Sequence, residues 1–322
     1  MTVDVLCVGN AVVDALLTLQ EQDPHYRLEN GELRIRAGEK LLTKHSQFSI
    51  GGGACRVAIG LSRFGFKTTV CAEVGTDEFA QRILNTLKQE HVDLSNLKIT
   101  EGQTSFTVGL NFLSDRTLFT SLVKRENTFP LDAITTTFVY LGSLGQAWEA
   151  AYAGAVSHAK KTKAQLVFNP GPTQFAAGVS AFNHILEDTS ILFVNRQEAQ
   201  EIAETKDTDP KTLLTLLKKM GPQTVVVTDG KEGSYAQDDS GESIKLGNYP
   251  TTVIEKTGAG DAYVSGFLAA ILKKASLPDA MVWGTCSASS VISNASAHEG
   301  LITEEQIRRM MQSDKAPKPE HI

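Results

Sequence analysis

The chain has 322 residues, of which 41% are hydrophobic and 21% are charged, a composition typical of a folded globular protein. Its formal net charge of −6 gives no basic excess and argues against nucleic-acid binding. No apolar run reaches the about 18 residues that a membrane-spanning helix needs, and the N-terminus lacks the basic segment of a signal peptide. The four cysteines lie far apart without a C-x-x-C pair, so reduced thiols in a cytoplasmic protein are expected.

Strand-like and helix-like segments alternate along most of the chain. The predicted order is a strand at 4–8, a helix at 54–64, a strand at 68–74, a helix from 79 to 87, a strand at 138–141, a helix at 147–160, strands at 165–168 and 191–194, helices at 197–203 and 211–220, a strand at 224–228, a β excursion at 233–246, and helices at 259–274 and 279–294. Strands separated by helices of this length favour right-handed crossovers. The sequence therefore predicts an α/β fold with a mostly parallel sheet and helices on both faces.

Two segments interrupt this alternation. Residues about 15–50 and 104–123 show period-two patterns, and the second has apolar residues at every other position from Phe106 to Phe112, with a tight turn near Ser114-Asp115. They predict a small β flap outside the main sheet, a candidate lid. The alternative is an immobile edge extension of the main sheet. Residues 313–322 form a polar tail that is expected to fray.

The segment Thr257-Gly258-Ala259-Gly260-Asp261 carries the clearest chemical signal, because it directly precedes a long helical run. A glycine-rich turn at a helix N-terminus presents backbone N–H groups and partial positive charge. An aspartate in that turn can accept a proton from an attacking hydroxyl, which is the combination that phosphoryl transfer requires. Taken alone, the same residues also suit an ordinary strand-to-helix turn with Asp261 as a capping acid.

Two other phosphate-binding motifs do not fit. The pattern G-x-x-x-x-G-K-[ST] does not occur in the sequence, which disfavours a P-loop enzyme. The glycines of the 258–261 turn fail the dinucleotide fingerprint, because Tyr263 stands at the position of the third glycine. An NAD-dependent oxidoreductase is therefore disfavoured as well.

The glycine-rich turn resembles the second signature of the PfkB (ribokinase-like) family of carbohydrate and nucleoside kinases. Four further matches follow in family order: Gly9-Asn10 with Asp14, Gly51-Gly52-Gly53 with Gly65 and Glu73-Val74-Gly75-Thr76-Asp77, Asn195-Arg196-Gln197-Glu198, and Thr228-Asp229-Gly230-Lys231-Glu232-Gly233. The resemblance covers residues about 4 to 312. It implies a ribokinase-like three-layer α/β/α domain over residues 1–312, with a mostly parallel central sheet and a small β-sheet lid formed by the segments 15–50 and 104–123.

The resemblance also implies roles for individual residues. Asp261 would be the general base, and Gly258, Ala259 and Gly260 would form the anion hole. The implied nucleotide-binding residues are Asn195, Thr228, Gly230 and Gly233, and residues 284–298 would border the adenine. Glu198 would act on Mg²⁺ through water, and the implied substrate-binding residues are Asp14, Gly52, Gly53 and Arg56.

Each of these roles has an ordinary structural alternative. Asn195 and Asp14 also suit capping positions, Glu198 suits a solvated first helical turn, and Gly230 and Gly233 suit simple turns. The adjacent His298 and Glu299 are interpreted as loop polarity and not as a catalytic pair.

Two residues depart from the family pattern. Arg56 stands where the first signature carries a substrate-contacting asparagine, and arginine suits planar anions. One expectation is that the substrate carries a carboxylate or phosphate group, and a second is that Arg56 pairs with Asp14 and reshapes the pocket. The alternative to both is that the Arg56 side chain turns outward. The segment Glu255-Lys256-Thr257 departs from the usual Asp-Thr before the glycine-rich turn, in a region that helps to bind a monovalent cation in many relatives. Lys256 could place an ammonium group where that cation sits, so potassium is not expected to activate the protein.

The sequence thus predicts an ATP- and Mg²⁺-dependent kinase that phosphorylates a hydroxyl of a sugar or sugar-like molecule. An adenosine or other nucleoside kinase of the same family, and a catalytically inactive ligand-binding relative, remain alternatives. Because many proteins of the family pair through the flap, a homodimer formed through the lid is also predicted, with no nucleic-acid or membrane partner.

Overall fold

The computed structural model describes residues 1–113 and 115–322, with only the backbone described for Asp115. The described strands are β1 Val5–Val8, β2 Val12–Leu19, β3 Tyr26–Glu29, β4 Glu32–Ile35, β5 Thr43–Gly51, β6 Thr68–Cys71, β7 Glu73–Val74, β8 Lys98–Ile99, β9 Phe106–Phe112, β10 Asp115–Ser121, β11 Phe138–Leu141, β12 Gln165–Phe168, β13 Ile191–Asn195, β14 Thr224–Thr228, β15 Ser234–Gln237, β16 Ser243–Leu246 and β17 Glu320–His321. The described helices are α1 Gly53–Arg63, α2 Glu78–Gln89, α3 Glu149–Thr162, α4 Pro172–Ala176, α5 Arg196–Ile202, α6 Pro210–Lys219, α7 Ala259–Leu272, α8 Leu277–Ile292 and α9 Glu304–Met311.

The main sheet follows the order β17-β16-β15-β14-β13-β12-β11-β1-β6 in the described part of the chain. The strands from β6 to β14 in this order are parallel, and β15, β16 and β17 continue the sheet antiparallel. Parallel strands need crossover connections, and the intervening helices supply them. The carboxyl ends of the parallel strands therefore meet at one edge, which is where ligands bind in open α/β sheets.

Helices cover both faces of the sheet. Residues Val5 and Cys7 of β1 pack into a core with α1, α2, α7, α8 and α9, whereas Leu6 and Val8 pack into a second core with α3, α5 and α6. This alternation buries β1 on both sides, as expected for a strand inside a parallel sheet. The predicted three-layer α/β/α fold is confirmed.

The flap is a separate sheet in the order β10-β9-β2-β5, in which β9 and β2 are parallel and the other pairs are antiparallel. The β3–β4 hairpin lies beside it, with Tyr26 against Phe112. The predicted small lid sheet is therefore present, and it is not an edge extension of the main sheet. The tight turn predicted at Ser114-Asp115 falls partly outside the described residues.

The C-terminal tail differs from its prediction. Strand β17 pairs with β16, the Ile322 N–H donates to the Ser243 carbonyl at 2.9 Å, and the Ile322 side chain packs against the core. The prediction of a frayed end was wrong, because polarity alone did not reveal that the open edge of β16 offers backbone partners to the last residues. Within the described residues, no helix is long and apolar enough to cross a membrane.

Candidate active site

A cavity of about 370 Å³ opens at the carboxyl edge of the parallel strands, and we call it the Asp261 cavity. Its wall includes Tyr140 at the end of β11, Asn169 after β12, Asn195 at the end of β13 and Thr228 at the end of β14. Helix α7 contributes Gly260 and Asp261, α1 contributes Gly53, and the flap contributes Arg116. Its volume is in the range of small-molecule sites.

The glycine-rich turn shapes one wall of this cavity. Gly258 precedes α7 with φ of 81°, a left-handed conformation that glycine adopts without strain. The turn places Asp261 in the first turn of α7, where the leading backbone N–H groups have no acceptor inside the helix. A Cβ atom on Gly53 would lie 2.9 Å from Asp261 Oδ1, so a larger residue at this position would displace the carboxylate. Of the predicted anion-hole residues, Gly260 lines this cavity together with Asp261, whereas Gly258 and Ala259 do not.

A buried arginine links the two predicted carboxylates. Arg56 Nη1 donates to Asp261 Oδ2 at 3.1 Å, and Arg56 Nη2 donates to Asp14 Oδ2. Burial raises the pKa of the Asp14 carboxyl, and the Arg56 guanidinium opposes this rise. Of the two expectations for Arg56, the structure contains the Arg56–Asp14 pair, and the guanidinium does not turn outward. In the described residues neither Asp14 nor Arg56 is part of the wall of the Asp261 cavity, and Gly52 packs on the Asn10 backbone.

A second cavity of about 490 Å³, the Gly233 cavity, adjoins the first. Gly230 and Gly233 line it on one side, and Thr285, Ala288, Ser289 and Ile292 of α8 line it on the other. The α8 residues fall in the 284–298 segment that was expected to border the adenine. The two cavities share Thr228, Gly260 and Tyr263 in their walls. They therefore meet beside Asp261, at the N-terminus of α7.

Asn195 and Glu198 cap helix α5 reciprocally. Asn195 Oδ1 accepts from the Glu198 N–H at 2.9 Å, and Glu198 Oε2 accepts from the Asn195 N–H at 2.8 Å. The predicted capping alternative is thus realised for Asn195, although both residues also line the Asp261 cavity. Burial raises the pKa of the Glu198 carboxyl, and the hydrogen bonds from Asn195 oppose this rise.

The donors at this site fit Mg²⁺ that arrives with a nucleotide. Among the described residues, no group of three or more His, Cys, Asp or Glu side chains forms a metal cluster. Mg²⁺ is usually held by one or two carboxylates together with substrate phosphates and water, and not by an all-protein cage. A single carboxylate at Glu198, facing a cavity beside a helix N-terminus, matches that requirement.

Other predicted residues lie elsewhere. His298 Nε2 contacts Glu90 Oε1 at 2.8 Å, and among the described residues it is not part of the wall of the Asp261 cavity. Lys256 is exposed and lines the Gly233 cavity.

Several residues of the site carry no motif in the sequence. Tyr140 is buried, its hydroxyl donates to Asn169 Oδ1 at 3.2 Å, and burial raises its pKa well above the usual range. One sequence signal could have indicated further site residues, namely the polar residues that follow the predicted strands at 138–141 and 165–168. The carboxyl ends of parallel strands share one edge of the sheet, so such residues lie near one another. Glu255 contacts the flap residues Asn111 and Arg116, and the sequence marked it only as part of the Glu255-Lys256-Thr257 departure from the family pattern.

A protein-family model matches almost the whole chain. The model described as "pfkB family carbohydrate kinase" matches residues 4–304. The chain therefore belongs to this family and is an ATP-dependent carbohydrate kinase that acts on a sugar-like substrate.

Individual relatives agree with the family. The chain is 28% identical over 284 residues to a 5-dehydro-2-deoxygluconokinase of Shouchella clausii, covering 82% of this chain and 86% of that protein. It is 25% identical over 290 residues to the enzyme of the same name from Clostridium botulinum, covering 83% and 85%. The solved structure of an Arabidopsis thaliana ribokinase complexed with ribose and ATP shares the fold, with a TM-score of 0.76, 17% identity, and coverage of 98% of this chain and 100% of that one.

Proposed function

We propose that the chain transfers the γ-phosphoryl group of ATP to a hydroxyl of a sugar acid, with Asp261 as the general base. The junction of the two cavities carries this proposal, because Asp261 and Gly260 lie where a nucleotide in the Gly233 cavity would meet an acceptor in the Asp261 cavity. Phosphoryl transfer depends mainly on positioning and on stabilisation of developing charge. Both requirements are met by a helix N-terminus between the two ligands.

Each residue then has a defined task. Asp261 accepts the hydroxyl proton, and the backbone N–H groups of Gly258, Ala259 and Gly260 stabilise the transferring phosphoryl group. The nucleotide is held by Asn195, Thr228, Gly230 and Gly233. The acceptor extends from the Asp261 cavity past Gly53, which lines it, to Asp14, Gly52 and Arg56, which lie outside the cavity wall.

Mg²⁺ belongs to this proposal as the companion of ATP. The Glu198 carboxylate would hold it through water, and the bound ion would offset the negative charge of the phosphates. The Asn195 N–H keeps this carboxylate in place through the 2.8 Å hydrogen bond to Oε2.

The sugar-acid class rests on two observations. The two curated relatives are named as kinases of a gluconate derivative, and Arg56 replaces a neutral asparagine beside Asp14. A guanidinium binds carboxylates with two parallel hydrogen bonds, which an asparagine does not provide.

A homodimer through the flap is part of the proposal. Cross-strand register brings Phe48, Ala15, Val108 and Phe119 into one row on the face of the flap opposite to Asp14. Phe48 and Phe119 are both more than half exposed, at 52% and 58%. An exposed apolar row of this kind is typical of a protein interface.

The test measures ADP release from Mg·ATP with sugar acids, neutral sugars, sugar phosphates and nucleosides as acceptors. Asp261→Ala is compared with Asp279→Ala, which removes an exposed acid from the first turn of α8. We expect acceptor-dependent release that falls roughly 10²- to 10⁴-fold in Asp261→Ala and is unchanged in Asp279→Ala. ADP release with nucleosides alone would show that the acceptor is a nucleoside and not a sugar acid. Nucleotide binding without any release would indicate a non-catalytic relative.

A further inference from the structure

The Arg56 guanidinium occupies the position between the two carboxylates that the acceptor is expected to contact. We infer that Arg56 determines specificity by exchanging partners: the carboxylate of the substrate replaces Asp261 as the partner of Arg56, and this exchange frees Asp261 to act as the base. The inference rests on the proposed function. It adds a reason why an acidic acceptor would react and a neutral one would not.

The first argument is steric. The two terminal nitrogens of Arg56 are bonded to the same carbon, and each contacts a different carboxylate, Asp14 on the flap and Asp261 on α7. The two acids are therefore held at the edges of one planar group. While this bridge persists, an acceptor cannot lie between them and contact both, so binding in that position requires the guanidinium to move.

The second argument is electrostatic. The Arg56 side chain is 9% exposed, and its Nε has no hydrogen-bond partner among the described residues. A buried charge that loses one of its partners is destabilised. A neutral acceptor would displace Arg56 from Asp261 and offer no anion in return, which leaves the guanidinium with Asp14 alone of its two anionic partners. An acidic acceptor offers a carboxylate, so both terminal nitrogens of the guanidinium keep an anionic partner after the exchange.

The third argument concerns the base itself. While Asp261 Oδ2 accepts a hydrogen bond from Arg56 at 3.1 Å, this oxygen is occupied by the guanidinium and is less available to the acceptor hydroxyl. After the exchange, the acceptor hydroxyl gives its proton to Asp261, and its oxygen forms a bond to the γ-phosphorus. The bond from this phosphorus to the bridging oxygen breaks, and the electron pair leaves with ADP. The acidic group thus promotes the reaction of a hydroxyl elsewhere on the same molecule.

The activity test uses matched acceptor pairs, aldonates of five and six carbons and the alditols of the same chain length. We expect the wild-type protein to prefer the acid in kcat/KM by about 100-fold or more. Arg56→Asn is expected to lose most of this preference, with lower activity on the acid and higher activity on the alditol. Arg56→Lys, which keeps the charge but not the planar fork, is expected to lie between the two.

A binding test needs no turnover. In Asp261→Ala the competing carboxylate is gone, so Arg56 is available to the substrate anion. Titration calorimetry is expected to show the aldonate binding about tenfold more tightly to this variant than to wild type, with no such gain for the alditol. This arm remains valid even if substitution of Arg56 prevents folding.

The outcomes separate the inference from the proposed function. A wild-type protein that phosphorylates alditols as well as aldonates, or an Arg56→Asn variant that keeps its acid preference, overturns the inference and leaves the kinase assignment in place. Equal or weaker aldonate binding to Asp261→Ala also overturns it. Absence of phosphorylation with every acceptor overturns the proposed function and, with it, the inference.

Discussion

The side-chain amide of Asn111, in strand β9 of the flap, donates a hydrogen bond to the Glu255 carboxylate, which lies in the loop leading into the glycine-rich turn. Glu255 also accepts from the Thr257 N–H at 2.8 Å and from the Thr257 hydroxyl at 2.6 Å. Arg116 approaches the same carboxylate at 3.6 Å. One buried acid thus connects the flap with the turn that carries Asp261.

This connection predicts an effect of flap residues on catalysis. Asn111→Ala removes the donor to a buried carboxylate, and a hydrogen bond to a charged group contributes about 1.5–3 kcal/mol. If the flap is closed by this bond, kcat/KM for the acceptor should fall roughly 10- to 100-fold. Thr117→Ala, on the opposite face of the flap, is the matched control. Steady-state kinetics that do not differ between the two variants would show that Asn111 does not hold the flap closed.

Glu198 is predicted to hold Mg²⁺, and Asn195 is predicted to stabilise helix α5 by capping it, in addition to contacting the nucleotide. Glu198→Gln keeps a side-chain oxygen for the capping box but removes the charge. We expect an unchanged unfolding midpoint and a several-fold higher Mg²⁺ concentration for half-maximal activity. Asn195→Ala should instead lose about 1 kcal/mol of stability.

The control for the capping effect is Thr303→Ala, which removes the equivalent cap of α9. It should lose similar stability and leave the Mg²⁺ dependence unchanged. If Glu198→Gln has normal Mg²⁺ dependence, Glu198 has a capping role and does not hold Mg²⁺.

The exposed row on the flap predicts the oligomeric state. Phe119→Glu places a charge in the row formed with Phe48 and Val108, so a dimer formed through this face should dissociate. Sedimentation velocity is expected to show a dimer for wild type and a monomer for the variant. Val253→Glu, at an exposed apolar residue outside the flap, should leave the dimer intact. A monomeric wild type contradicts the prediction directly.

Potassium is predicted not to activate the enzyme. Lys256 lies two residues before Gly258 and lines the Gly233 cavity. Rates in potassium chloride and tetramethylammonium chloride at equal ionic strength should agree within about twofold, since a change of that size is under 0.5 kcal/mol. A several-fold increase with potassium would refute the prediction, and Lys256→Met would then show whether the lysine affects the cation.

The sequence predicted those features that depend on local pattern. The alternation of apolar strands and amphipathic helices predicted the α/β layers, and the spacing of the 257–261 turn predicted that Asp261 opens a helix. Contacts between distant segments were not accessible in this way. Arg56 and Asp261 are 205 residues apart, and Asn111 and Glu255 are 144 apart. Their pairing depends on how the flap and α7 are placed by the whole fold.

The final prediction concerns stability and pH. Arg63 Nε and Nη2 donate to the two carboxylate oxygens of Glu90 at 2.8 and 2.7 Å, and His298 contacts the same group. The hydrogen bonds from Arg63 lower the pKa of Glu90. A carboxyl whose pKa is lower in the folded state stabilises the protein above its unfolded-state pKa of about 4.3. This contribution disappears as the pH falls through the lower, folded-state pKa.

Glu90→Gln should therefore reduce the free energy of unfolding at pH 7 by about 1–3 kcal/mol, since a charge-assisted, two-pronged hydrogen bond is lost. The difference from wild type should shrink below about pH 4.3, because protonated Glu90 resembles glutamine. Glu305→Gln, which breaks an exposed pair with Arg309 on α9, should change stability by less than about 1 kcal/mol at any pH. Urea unfolding of the three proteins between pH 3 and pH 7 measures both effects. A Glu90→Gln deficit that persists undiminished at the lowest pH would show that the variant disturbs packing and not an ion pair.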